Sequence, residues 1–157
     1  MAFLLWLQET GLARYVQEDP WGYPIVLSCH AVGMALLAGV VLMIDLRLLG
    51  FGRGVPLVYL RKLLGIAWAG LILNLISGLM LFTADAVSHY QNIAFRIKIL
   101  LLIAGAIVTF LISRRVFAPA APDPSGESAA TRAIAAISAV VWVGVIVAGR
   151  LIAYANE

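Results

Sequence analysis

Charge is scarce in this sequence, and cysteine and histidine are scarcer. Charged residues make up 12% of its 157 positions, against about 25% in soluble domains. With 63% hydrophobic residues and a mean hydropathy of +1.01, the composition is that of an integral membrane protein. The sole cysteine, Cys29, rules out an internal disulfide and any multi-cysteine metal cluster. Histidine occurs only at positions 30 and 89. No Ser-His-Asp set, phosphate loop or zinc signature is present, so no motif makes this chain an enzyme. MAFLLWL at the start has no basic n-region, so no cleavable signal peptide is expected. The basic residues sit at the ends of apolar runs, where they anchor a membrane protein, so the pI near 9.4 does not point to nucleic acid.

Long apolar runs are what the chain does have. From Pro24 to Ile44 only Ser28, Cys29 and His30 interrupt the pattern. About 20 such residues, at ~1.5 Å rise, match the ~30 Å hydrocarbon core. Pro24 suits a first helical turn. The expected fold class is all-α, an integral membrane four-helix bundle with a short N-terminal interfacial helix. The expected bounds are 3–18 for that helix, with Trp6 and Tyr15 at headgroup level. The spans are expected at about 24–49, 58–89, 93–115 and 130–154. Neither Gly nor Pro occurs between Leu79 and Phe95, so the second helix is expected to continue to His89. Residues 116–129 form a Pro-rich loop. Asn74, in mid-span, is expected to hydrogen-bond another helix. Asp45 is expected to form an interfacial ion pair with Arg47.

Counting Lys and Arg in the short loops orients the chain. Arg47, Arg53, Arg61, Lys62, Arg114, Arg115 and Arg132 fall on one side; Arg14, Arg96, Lys98 and Arg150 fall on the other. The excess places the Pro-rich loop in the cytoplasm and both termini outside.

An ionisable side chain inside a span is expensive and marks a functional site by default. His30 lies about two turns inside the first span. His89, Lys98 and Arg150 fall near the same face of the membrane. Three readings follow. In the first, His30 and His89 are axial ligands of one haem b, Gly33 opens the slot, and Arg96, Lys98 or Arg150 pair with the propionates. Packed helices sit about 8–10 Å apart, so this reading requires the ligand helices to splay or lie diagonally. In the second, the same site binds copper, with Met34 and Met80 adding thioethers to the histidines. In the third, His30 is a hydrogen-bonded core residue and His89 an ordinary interfacial one.

HAVGMALLAG and DLRLLG (His30–Gly39, Asp45–Gly50), with SGLMLFTADA and NIAFRIK (Ser77–Ala86, Asn92–Lys98), resemble a family of uncharacterised small bacterial four-span membrane proteins, a domain of unknown function. The resemblance covers most of the chain except the Pro-rich loop. It implies a four-helix fold in the bacterial cytoplasmic membrane, and no activity. The plan is more distantly similar to copper-resistance D-type membrane proteins and to four-helix membrane b-type cytochromes. Those cytochromes often carry four histidines for two haems; two histidines allow one. The expected role is electron transfer through that haem at the outer face, with the lipid bilayer as surroundings and a membrane quinol or redox protein as partner. Copper binding or transfer, and an accessory subunit of an oligomer or membrane complex, are the alternatives.

Overall fold

Apolar runs of bilayer length become the long helices of this protein. The computed structural model describes residues 1–152 and Tyr154, and among them there is no strand. Two short helices, α1 (Ala2–Gln8) and α2 (Gly11–Glu18), precede the long α3 (Gly22–Leu49). Then come α4 (Leu57–Ala84), α5 (Ala86–Gln91), α6 (Ile93–Ile112) and α7 (Ala129–Leu151). A π-helical turn, Ser113–Phe117, extends α6. Four helices are long and apolar enough to cross a membrane: α3, α4, α6 with its π turn, and α7. The protein is therefore a multi-pass membrane protein with a helical bundle. Its outward residues, such as Ile72, Leu79, Ile103 and Val140, are exposed and apolar, as lipid contact requires. The expected fourth span reaches Ala153, which lies outside the described residues with Ala155, Asn156 and Glu157.

Caps explain where the helices begin. The Asp19 carboxylate accepts from the backbone N–H groups of Trp21 and Gly22 and so starts α3. Asn92 accepts from Ala94 and Phe95 at the head of α6, and Ser128 accepts from Thr131 at the head of α7. Thr10 does the same for α2 and also donates to the Leu7 carbonyl at 2.8 Å. That double bond splits the expected interfacial helix 3–18 into α1 and α2. A second difference is at Asp85. Its backbone (φ −144°, ψ 59°) leaves the helical region and ends α4 at Ala84. The second span thus stops short of His89, which sits on the separate α5. Gln17 of α2 donates its side-chain amide to the Ala84 carbonyl, one of the groups the break orphans.

The long helices do not pack all round. α4 packs on α3, α3 on α7, and α7 on α6, whereas the α4 and α6 backbones stay apart, and the two helices meet through the stacked rings of Phe82 and Phe95, centroids 5.5 Å apart. The α3–α4 crossing is the tightest. A Cβ on Gly33 would lie 2.8 Å from the Asn74 backbone nitrogen, and one on Gly70 2.8 Å from that of Leu37. Two glycines facing each other let the backbones touch. Gly33 therefore sits in a helix contact and opens no slot. The main core, with Leu37, Val41, Ile44, Leu48, Ala135 and Val145, fills the other half of the bundle. Trp142 is fully buried over Gly105 and donates its indole N–H to Thr109 Oγ1 at 3.1 Å.

Two carboxylates at this second end differ in setting. Asp123, in the Pro-rich loop, accepts from the Thr131 hydroxyl at 2.6 Å, from Ser125 and from the Ser128 backbone. Hydrogen bonds from Ser128 and Thr131 hold its carboxyl well below the usual carboxylate range and tie the loop to α7. Asp45 is the opposite case. It is fully buried, and among the described residues neither carboxyl oxygen has a hydrogen-bond partner within 3.5 Å. The expected ion pair with Arg47 is absent, because residues two apart point to different sides of a helix. Arg47 instead donates to the Val55 carbonyl at 2.8 Å. Asp45 faces Ser138 of α7, whose hydroxyl is also buried.

Candidate functional site

The gap between α4 and α6 is a cavity of about 540 Å³ near the end of the bundle that carries the N-terminus. That volume lies within the range of ligand pockets, about 300–1,000 Å³. His30, Asn74, His89, Lys98 and Arg150 all line it. Its remaining wall is mostly apolar, with Leu27, Phe82, Phe95 and Leu102. Leu75, Leu79 and Ile99 in that wall are exposed, so the cavity opens sideways.

His30 is fixed by α4. Its Nδ1 lies 3.1 Å from the Asn74 carbonyl and 3.1 Å from Ser77 Oγ. A carbonyl only accepts, so Nδ1 carries the proton. Ser77 spends its own proton on the Leu73 carbonyl at 2.6 Å, so it too accepts from His30. Nε2 is then the nitrogen with a lone pair. Lys98 Nζ, 3.2 Å away on α6, donates to it. Asn74 meets the expectation of a bond to another helix: its amide donates to the His30 carbonyl at 3.1 Å. Small neighbours leave room for these groups. Gly78 lies against the His30 ring and Gly149 beside the Lys98 ammonium, and a Cβ on Gly78 would come 3.1 Å from His30 Cε1.

His89 repeats the arrangement. Its Nδ1 donates to the Asp85 carbonyl at 2.7 Å, and the Asp85 carboxylate is 4.0 Å away. Its Nε2 makes no hydrogen bond among the described residues. Phe82 and Phe95 pack edge-on against the ring, at centroid distances of 6.4 and 5.3 Å. The break at Asp85 lets α5 leave the line of α4, so His89 lines the gap that α4 and α6 leave open.

The other expected residues are distributed less simply. Arg150 lines the cavity but bonds Tyr154, its guanidinium 5.6 Å from that ring centroid, and forms no ion pair with Asp85 among the described residues. Arg96 turns away: it donates to the Tyr90 carbonyl at 3.0 Å and lies over the Tyr90 ring. Met34 packs against the core, and neither it nor Met80 is in the cavity wall. Among the described residues, no three His, Cys, Asp or Glu side chains come together as metal ligands. Sequence reasoning missed Ser77 and Gly78 as the seat of His30. Their position one turn beyond Asn74 on α4 was the available signal.

Comparison with known proteins adds a family and no activity. No match was found among curated proteins or among solved structures. Residues 6–155 match the model of a family of unknown function, DUF6644, and the chain belongs to that family.

Proposed function

We propose that this protein is a membrane haem b protein that moves electrons at one face of the bilayer, and that His30 and His89 would hold the haem iron. The observation that carries the reading is the shared tautomer. In both histidines Nδ1–H is tied to a backbone carbonyl, which leaves Nε2 as the ligating nitrogen in one cavity. Metal-bound histidines are held this way, because the carbonyl fixes the ring and raises its basicity. Haem, when bound, supplies a one-electron couple. The chain's own residues do the rest. Lys98, with Gly149 beside it, would pair with a carboxylate of the ligand. Arg150 supplies a second cation at the rim. The apolar wall excludes water, and the lateral opening faces lipid, where a quinol partner resides. Metal analysis of the purified protein tests the assignment: iron should approach one per chain, with copper absent. Copper without iron would favour the alternative, whose thioethers Met34 and Met80 lie outside the wall.

The cavity is assigned to the outer face of the bacterial cytoplasmic membrane, from the excess of Lys and Arg in the loops at the opposite end. Reporter fusions at Met1 and within the loop at Pro122 should report opposite sides, with Pro122 inside. The reverse labelling would invert this assignment.

A further inference from the structure

The far end of the bundle carries a second concavity, open to the surface. It measures about 580 Å³ and lies where α6 runs into the Pro-rich loop and α7 begins. Arg114 and Arg115 line it together with Leu111, Ile134, Pro119 and Pro122, and no acidic residue does. Both arginines come from the π-helical turn Ser113–Phe117. The turn closes α6 at its C-terminal end, where the chain enters the Pro-rich loop. Here consecutive arginines reach one concavity, although neighbours on an ordinary helix point about 100° apart.

The groove is held in shape. Arg115 Nε donates to Thr131 Oγ1 at 3.0 Å, and Thr131 donates to the Asp123 carboxylate. Ser125 and the Ser128 backbone also donate to that carboxylate. Arg115 is thereby fixed by one nitrogen, and its other nitrogens make no hydrogen bond among the described residues. Arg114 is exposed and has no hydrogen bond or ion pair among the described residues. Arginines that only anchored a helix end would need neither a preformed hollow nor an apolar wall beside it.

We propose that this groove binds an anionic phospholipid, its phosphate diester on the Arg114 and Arg115 guanidiniums and its acyl chains along Leu111 and Ile134. The chemistry is complementary on both counts. Guanidinium forks bind phosphate oxygens in pairs. Basic pockets between spanning helices at the membrane surface accept lipid headgroups. A free phosphate would use the arginines but would leave Leu111 and Ile134 without an occupant. The proposal is independent of the haem assignment, because the two cavities lie at opposite ends of the bundle.

The test is lipid retention. The full-length protein in mild detergent is offered equimolar phosphatidylglycerol and phosphatidylcholine, and the bound lipids are counted by mass spectrometry of the intact complex. The wild type should retain phosphatidylglycerol preferentially. Arg114→Gln, which breaks no contact in the fold, should reduce that preference roughly fivefold. Arg61→Gln removes an equal charge from the same end, outside the groove, and should leave the preference intact. Inorganic phosphate at matched concentration should not displace the lipid. The proposal is overturned if the wild type shows no preference, if Arg61→Gln lowers it as much as Arg114→Gln, or if inorganic phosphate displaces the lipid, which would make the groove a soluble-anion site.

Discussion

Changing His30 to Ala should leave a folded protein without visible absorbance. His30 is the one histidine held inside a spanning helix, with Nδ1 fixed by α4 and Nε2 aimed into the cavity. The only other histidine is already assigned to the second axial position, so no side chain can substitute. His89→Ala should be milder. Its ring sits on the short α5 near the end of the bundle, so its loss should leave a weakly held, five-coordinate haem with an altered spectrum. Lys98→Ala should weaken retention without changing the shape of the spectrum, because Lys98 would contact only the ligand's carboxylate. Ser77→Ala removes one of the two acceptors behind His30. Outer-shell losses of this kind typically cost about 10–100-fold in metal affinity. The order of retention is the check: wild type, then Ser77→Ala and Lys98→Ala, then His89→Ala, with His30→Ala at zero. A His30→Ala protein with unchanged absorbance would remove this residue from the ligand set.

The second large effect should come from a methyl group. Gly33→Ala and Gly70→Ala each place a Cβ 2.8 Å from backbone nitrogen of the facing helix. No side chain can rotate away from that contact, so α3 and α4 must separate. Overpacking of this kind costs about 1–3 kcal/mol. It works against the ~1 kcal/mol that alanine gains over glycine in a helix interior. The damage should reach the site, since Gly33 abuts the Asn74 backbone and the Asn74 carbonyl holds His30. Both variants should lose thermal stability and retain less cofactor. Gly39→Ala is the control: its Cβ would meet nothing within 4 Å, so stability should hold or rise. Equal behaviour of Gly33→Ala and Gly39→Ala would mean that the α3–α4 crossing is looser than this contact implies.

Much of this was legible without coordinates. Four apolar runs of bilayer length leave few alternatives to four spanning helices. The depth of His30, Lys98 and Arg150 follows from counting residues at a fixed rise, and all three line one cavity. What could not be read was anything decided between distant segments. The break at Asp85 carries no Gly or Pro to announce it. The Ala84 carbonyl it frees is bonded by Gln17, 67 positions away. Gly33 is visible as a small residue, but its use at a crossing depends on Gly70 arriving opposite. Adjacency in sequence pairs Asp45 with Arg47, but helical phase sends the two side chains to different sides. Arg47 points elsewhere, and the true neighbour of Asp45, Ser138, comes from α7. The splay of α4 from α6, which creates the cavity, is a property of the whole bundle and of no single segment.

A reduced-minus-oxidised visible spectrum of the wild-type protein, purified after expression with ample haem supply, tests the central claim most directly. The account predicts the sharp bands of a low-spin haem with two histidine ligands, at one haem per chain. A pure, folded, colourless protein would contradict it, whatever the variants did.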